Sequence, residues 1–311
     1  MCVSCFTQNF WTLLVQGLAN GFLYALIALG YTLVYGVLQL INFAHSEVFM
    51  SGAFGGYFIL NAIIGASSPS GISSVGLVIL GIASGAAAGG VVAFFLERVA
   101  YRPLRRRHAP RLAFLISAIG ASYFLYNIAG KEFGRTAVEI PAPFTNGTVF
   151  SFFGTSVQTY YIVIAISAVV MLVMLDRVIA MTRLGKGIRA VAQDAETASL
   201  MGVNIDRVIS QAFVLGGLMA GAAGFLFGLN TGVVYTMGFT PALKAFTAAV
   251  LGGIGNLRGA MFGGLVLGVV ENFGSGLFGA QWRDVVSFAI LVLVLLVRPT
   301  GILGERLGRS A

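Results

Sequence analysis

Charged residues are scarce in this chain, at 10% of its 311 residues, whereas a soluble domain carries roughly 25%. Glu47 is the only formally charged residue in the first 96 positions, and residues 208–243 contain none. So few charges exclude a surface built for water, and 58% of the residues are hydrophobic. This pattern is typical of a chain that crosses a membrane repeatedly.

Cysteine and histidine are almost absent as well. Cys2 and Cys5 form a lone C-x-x-C, without the second pair or nearby histidine that a metal site needs. His45 and His108 are far apart in the sequence, and no phosphate-binding G-x-x-x-x-G-K-[ST] pattern occurs. The sequence therefore predicts no catalytic residues, no metal site and no cofactor.

Basic charge is concentrated in two stretches, residues 98–111 and residues 176–207. The first contains six arginines, and each would cost roughly 2.5–3.5 kcal/mol at the centre of a membrane helix. Because Lys- and Arg-rich loops stay in the cytoplasm, we predict a basic cytoplasmic loop at 98–111 and a cytoplasmic coupling loop at 176–207. The net charge of +8 then orients loops and meets membrane lipid headgroups, so nucleic acid is not an expected partner.

Counting apolar runs between these loops predicts an all-α fold: a polytopic transmembrane helical bundle of about eight to nine spans with broken helices, forming one transmembrane domain over residues 1–311. The N-terminus and residues 131–159 face outward, and Arg298, Arg306 and Arg309 place the C-terminus inside. Nine spans require two short runs to cross, and eight follow if one is re-entrant. The runs are 10–38, 48–64, 75–96, 112–129, 160–175, 208–229, 245–254, 259–270 and 285–297.

Two polar breaks interrupt the apolar runs, at residues 39–47 and 252–259. The first is either irregular backbone within the bundle or a tight cytoplasmic turn, and both readings stay open. Polar and ionisable groups inside a bundle often mark a route for solute, although Glu271 fits a structural helix-end or packing role equally well. We expect Lys244 to cap a span or to extend outward to the interface. The candidate route residues are Asn42, His45, Glu47, Asn256, Glu271 and Asn272.

Glycine is abundant, at 42 residues, and much of it recurs every four positions. This spacing lets membrane helices approach closely, and general tolerance of glycine in lipid explains only some of the pairs. The spaced sets are Gly81, Gly85 and Gly89; Gly217 and Gly221; Gly224 and Gly228; and Gly255, Gly259 and Gly263.

Residues 190–201 within the coupling loop predict one helix that Gly202 ends. Twelve or so residues are marginal as a helix in water, so this helix needs a surface to pack on. Its stripe of small residues suits a groove on a partner protein. A helix on the membrane surface is the alternative, although alanine anchors poorly in lipid. The candidate coupling residues are Ala190, Val191, Asp194, Ala195, Glu196, Ala198 and Gly202, with Asp194 and Glu196 as polar contacts.

Several motifs, in order along nearly the whole chain, resemble the branched-chain amino acid ABC transporter permeases. Ser46 is a departure, since the family often has glycine there. The matching segments are residues 24–36, 41–45, 184–194, 200–204, 243–255 and 298–304.

This resemblance implies a permease subunit of a bacterial inner-membrane importer, with ATP hydrolysis carried out elsewhere. The implied partners are a homologous permease subunit, two ATP-binding cassette ATPase subunits and a periplasmic solute-binding protein. That binding protein sets substrate choice in the family, so leucine, isoleucine and valine are the expected substrates, with amides or urea as related alternatives.

Two other classes of protein are alternatives. A secondary transporter of a small solute would also contain broken helices, but it needs no docking helix and no ATPase. A membrane-embedded enzyme would need a nucleophile, a base or a metal set among its spans, and the sequence contains none.

Overall fold

The computed structural model describes residues 3–40, 42–64, 72–144, 147–152, 155–298 and 300–304, and most of them are helical. Cys2, Arg306 and Arg309 lie outside the described residues. The helices are, in chain order, α1 (Val3–Leu38), α2 (His45–Ile64), α3 (Ile72–Leu96), α4 (Arg102–Arg106), α5 (Arg111–Glu132), α6 (Thr159–Met181), α7 (Arg183–Gln193), α8 (Ala195–Leu200), α9 (Ile205–Thr231), α10 (Phe239–Gly252), α11 (Leu257–Phe278) and α12 (Arg283–Val297).

Two short helical turns and a β-hairpin lie between these helices. A π-helical turn, Glu97–Tyr101, joins α3 to α4, and a 3₁₀ turn, Ala280–Trp282, precedes α12. Strands β1 (Thr148–Phe152) and β2 (Thr155–Gln158) form an antiparallel hairpin between α5 and α6.

Eight helical stretches in the described part of the chain are long and apolar enough to cross a membrane. This confirms the predicted fold class, a polytopic helical bundle. The stretches are Asn9–Leu38, His45–Ile64, Ser73–Arg106, Arg111–Glu132, Thr159–Met181, Ile205–Thr231, Leu257–Phe278 and Ala280–Val297. Helix α10 has 14 residues and is about 21 Å long, which is shorter than the roughly 30 Å hydrocarbon core of a bilayer.

One sequence-based boundary was wrong, and one predicted loop is partly helical. The run predicted as short at 259–270 is the 22-residue helix α11, because Glu271 and Asn272 are buried with polar partners and do not end it. The predicted loop at 98–111 is helical as far as Arg106, since arginine is a good helix former.

Contacts along the backbone divide the chain into two compact units. The first unit comprises Met1–Thr32, Asn146–Val170 and Leu243–Ala311, and the second comprises Leu33–Thr145 and Met171–Ala242. Each unit has its own buried set of apolar side chains, such as Leu26 and Leu267 in the first unit and Phe49 and Phe213 in the second.

The second unit is built on close contact between α2, α3 and α9. A Cβ atom at Gly52 would lie 2.1 Å from the Cα of Gly221, and one at Gly89 would lie 2.4 Å from the carbonyl oxygen of Gly217. Only glycine permits backbones to approach so closely. The packing role predicted for the spaced glycines of α3 and α9 is therefore confirmed.

The first unit contains a similar contact between the middle of α1 and α11. A Cβ atom at Gly268 would lie 2.3 Å from the backbone nitrogen of Gly21. Gly255 differs from the other spaced glycines, because the space around it is open and its φ of +96° serves the turn before α11. The Ile302 amide donates to the Leu251 carbonyl at 2.8 Å, so the end of α10 lies beside the segment that follows α12.

Candidate functional site

The coupling segment, residues 176–207, begins with the end of α6 and continues into the amphipathic helix α7. Thr182 caps α7 by accepting a hydrogen bond from the Gly185 amide at 3.1 Å. Ile188 and Val191 are buried, as is Gly185. A Cβ atom at Gly187 would lie 3.1 Å from Val208. The buried side of α7 therefore packs on the start of α9.

The backbone breaks at Asp194, where the sequence predicted a continuous helix over residues 190–201. Asp194 is extended, with φ −154° and ψ 107°, and its carboxylate accepts the amide hydrogens of Glu196 at 2.9 Å and Thr197 at 3.1 Å. The single-helix prediction was wrong because this carboxylate satisfies the free amides at the start of a new helix, α8. Hydrogen bonds from the Thr197 hydroxyl and amide hold the pKa of Asp194 below its usual value.

The tip of the coupling segment exposes two large apolar side chains. Leu200 is 83% exposed and Met201 is 81% exposed. Gly202 follows with φ +83° and ends α8, as the sequence predicted. The exposed apolar pair therefore lies at a sharply defined turn next to the acidic residues Asp194 and Glu196.

A cluster of charged side chains fixes the C-terminal end of this segment. Asp206 pairs with Arg102 at 3.2 Å and with Arg105 at 2.6 Å. Arg105 also pairs with the fully buried Glu97 at 2.9 Å, and Ser210 donates to that same carboxylate. These contacts join the arginine-rich segment to the start of α9. The sequence showed the opposite charges, but only the fold brings them together.

A second group of polar side chains lies buried around the start of α2. Asn42, His45 and Glu47 are each at most 4% exposed. The Asn42 side-chain oxygen accepts from the Tyr101 hydroxyl at 2.8 Å, and Glu47 accepts from the hydroxyl of Ser122 at 3.1 Å. This first break in the apolar runs is therefore a buried and hydrogen-bonded polar region of the second unit.

The first unit contains an ion cluster centred on Glu271, which is fully buried. Glu271 pairs with Lys244 at 2.9 Å and with Arg283 at 3.0 Å, and Lys244 also pairs with Asp284 at 2.7 Å. The hydroxyl of Tyr24 donates to Glu271 at 3.2 Å. Two cations and two carboxylates balance each other here, which makes burial of the charges tolerable.

Residues 13–295 match the protein family described as "branched-chain amino acid transport system / permease component". The chain belongs to this family. The permease is 45% identical over 294 residues to the high-affinity branched-chain amino acid transport system permease protein LivH of Escherichia coli K12, covering 93% of this chain and 94% of the relative. It is 44% identical to the corresponding protein BraD of Pseudomonas aeruginosa, covering 94% and 95%.

The permease aligns with a chain of one solved structure, PsaBC from Streptococcus pneumoniae in complex with Fab, with a TM-score of 0.49 and 10% sequence identity. The aligned region covers 96% of this chain and 97% of that chain.

Family membership makes the chain a transport component rather than an enzyme. With eight apolar stretches among its described residues, the permease is a multi-pass protein of the inner membrane. Among the same residues, no three His, Cys, Asp or Glu side chains are placed to hold a metal ion.

The predicted coupling residues lie on two faces of the coupling segment, one buried and one exposed. Val191 and Ala198 are buried, and Asp194, Glu196 and Gly202 are exposed. Ala190 and Ala195 are half-buried. The small-residue stripe therefore packs largely against the permease itself. The exposed face includes Leu200 and Met201, which were not among the predicted coupling residues.

The predicted route residues divide between the two units. Asn42, His45 and Glu47 lie in the second unit, whereas Asn256, Glu271 and Asn272 lie in the first. Asn256 caps α11 by accepting from the Gly259 amide at 3.1 Å, and Asn272 accepts from Arg283 at 2.8 Å.

Lys244 was expected to cap a span or to extend outward, and this expectation was wrong. Its side chain is 6% exposed and lies between the carboxylates of Glu271 and Asp284. The side chain points inward because two carboxylates there stabilise the ammonium group. The membrane–water interface would stabilise it less.

Proposed function

We propose that this permease is the membrane subunit of an ATP-binding cassette importer in the bacterial inner membrane, and that it carries branched-chain amino acids or related small amides. The names of the relatives support the substrate class, since LivH and BraD are described as branched-chain amino acid permeases. In this proposal a periplasmic solute-binding protein delivers the substrate, and a homologous permease subunit completes the translocation route.

Two ATPase subunits drive the cycle, one of them docking on the coupling segment of this chain. The observation that supports this proposal is that the segment has one face buried against the permease and one face exposed. Val191 and Ala198 anchor it to the permease, and Leu200 and Met201 extend into solvent. Protein interfaces commonly have an apolar centre surrounded by a polar rim, and methionine is enriched in them.

The acidic residues of the coupling segment contribute polar contacts to the same interface. Asp194 and Glu196 are exposed beside the apolar pair. Because Asp194 also caps α8, it holds the docking turn in one shape before the ATPase binds, and less conformational entropy is lost on docking.

Asn42, His45, Glu47, Asn256, Glu271 and Asn272 stay our candidates for the translocation route. Five of these residues are buried and Asn256 is half-buried. Polar groups within a bundle can replace water around a zwitterionic solute. Most of the hydrogen bonds described for these groups join different elements of the chain, such as Tyr101 to Asn42. A movement of helices would therefore change which of these groups are available to substrate.

The docking proposal is tested by purifying the assembled transporter through a tag on this chain. Replacing Leu200 and Met201 together with alanine should weaken recovery of the ATPase subunits about thirtyfold if the pair forms a docking hot spot. Ala195→Arg should abolish leucine uptake while membrane insertion stays normal. Ala142→Arg, at an exposed alanine of the segment between α5 and β1, is the matched control and should support normal uptake.

Normal uptake by Ala195→Arg would contradict the docking proposal. A chain recovered alone, which accumulates solute under an ion gradient without ATPase subunits, would instead establish the secondary transporter.

A further inference from the structure

A groove lined mainly by arginine lies where the π-helical turn passes into α4. Its volume is about 430 Å³, and its lining residues are Arg98, Arg102, Pro103, Arg106 and Arg107. The π-helical turn has a buried side, with Glu97 and Tyr101, and an exposed side, with Arg98. The arginines are thereby gathered on the outer side. We call this feature the arginine groove.

The arginine groove has more positive charge than its neighbours neutralise. Asp206 is shared by Arg102, Arg105 and Arg106, at distances from 2.6 to 3.4 Å. In the described part of the chain, Arg98 and Arg107 have no carboxylate within ion-pair distance. The single carboxylate of Asp206 therefore cannot neutralise the four arginines that line the groove. The groove has a net positive charge, which attracts an anion.

The arginine groove also lies at the end of an apolar helix face. Along α3 and the π-helical turn, Val91, Phe95 and Val99 are 54%, 58% and 71% exposed. The guanidinium of Arg98 lies 5.8 Å from the centre of the Phe94 ring. Exposed apolar side chains that lead to clustered arginines match the order of acyl chain and headgroup in a phospholipid.

The length of the helix puts the groove at the depth of the headgroups. The stretch Ser73–Arg106 has 34 residues, about 51 Å at the helical rise, whereas the hydrocarbon core is roughly 30 Å thick. The arginine-rich end must therefore extend beyond the hydrocarbon. At that depth, the available anions are lipid phosphates and soluble anions of the adjoining water.

We propose that the arginine groove binds the phosphate of an anionic phospholipid, with the acyl chains lying along the exposed apolar face of α3. Arginine suits this ligand, because the planar guanidinium makes paired hydrogen bonds to phosphate oxygens. Arg98 and Arg107 supply positive charge that Asp206 does not neutralise. Arg102 and Arg106 contact both Asp206 and the phosphate. The lipid thereby braces the segment that holds the start of α9.

The proposal is tested with the assembled transporter in a non-ionic detergent. Short-chain phosphatidylglycerol is titrated in, and bound lipid is counted by native mass spectrometry, with phosphatidylcholine and inorganic phosphate as separate probes. Replacing Arg98 and Arg107 with glutamine should weaken phosphatidylglycerol binding about fivefold for each arginine removed. Replacing both with lysine should retain part of the binding, because the charge is kept.

Arg207→Gln is the matched control, because Arg207 is exposed on the adjoining coupling segment and does not line the groove. Its binding of phosphatidylglycerol should equal that of the unaltered chain. Equal binding of phosphatidylcholine, or unchanged binding after loss of both groove arginines, would overturn the proposal. Inorganic phosphate that saturates the groove as tightly as the lipid would also overturn it, since the site would then serve a soluble anion.

Discussion

Glu271 illustrates how single residues act in this permease. It is fully buried, accepts hydrogen bonds from Tyr24, Lys244 and Ser287, and forms an ion pair with Arg283. Without its charge, Lys244 and Arg283 would have Asp284 as the one remaining carboxylate of the cluster. Glu271 therefore contributes to stability, whatever further role it has in the route.

Glu271→Gln should lower the free energy of unfolding by about 3 kcal/mol, because removing one partner of a buried ion pair leaves the other charge exposed to an apolar environment. Thermal unfolding of the purified chain in detergent measures the effect as a lower Tm. Combining it with Lys244→Met should restore part of the loss, since the excess positive charge is then reduced.

The matched control for this prediction is Glu196→Gln, which removes the same charge from an exposed position. It should leave Tm unchanged. If Glu271→Gln had the Tm of the unaltered chain but no uptake, a role confined to the translocation route would replace the structural one.

At the scale of elements, glycine decides how closely helices pack. Helices α2, α3 and α9 approach so closely that a single methyl group does not fit between some of their backbones. The neighbouring helix α5 has the opposite property at Gly120, where the space around the missing Cβ is open. Some glycines in this chain are therefore required for close helix packing, whereas others, such as Gly120, have room for a side chain.

Gly52→Ala should destabilise the permease by about 1–3 kcal/mol or more, because the added Cβ meets the backbone of Gly221 and the helices must separate. Gly120→Ala is the matched control and should be neutral or stabilising by up to about 1 kcal/mol, since alanine is the better helix former. Thermal unfolding of both variants gives the comparison. Equal Tm values for the two variants would show that the close approach does not matter for stability.

At the scale of the whole molecule, the distribution of charge predicts which end of each helix is cytoplasmic. Residues 98–111 and 176–207 were predicted inside, and residues 131–159 outside. If Arg298 is inside, the end of α10 is inside too, because Ile302 pairs with Leu251 at that end. This short helix would then carry the chain inward, giving the ninth crossing that the charge pattern requires.

Cysteine labelling tests this topology in a background where Cys2 and Cys5 are replaced by serine. Leu200→Cys, at an exposed position of the coupling segment, should react with a membrane-impermeant reagent only in inside-out vesicles. Glu139→Cys, exposed between α5 and β1, is the paired control and should react only in vesicles of the opposite orientation. Labelling of Leu200→Cys from the periplasmic side would remove both the topology and the docking proposal.

The sequence by itself determined the membrane class and the helical, multi-span character of the fold, because these depend on composition and local periodicity. It also identified Gly202 as the end of α8 and the spaced glycines as packing positions, since both follow from backbone sterics that a sequence displays directly. Even the family could be recognised from motifs that lie in order along the chain.

Only the tertiary structure decided which polar groups meet. Lys244 and Glu271 are 27 residues apart, and Arg105 and Asp206 are 101 apart, so no local pattern predicts that they pair. The same reason explains the coupling segment, where the burial of Val191 and Ala198 depends on the position of α9. Whether a charge is solvated, paired or left over depends on its neighbours in space, and those are set by the packing of helices that are distant in the sequence.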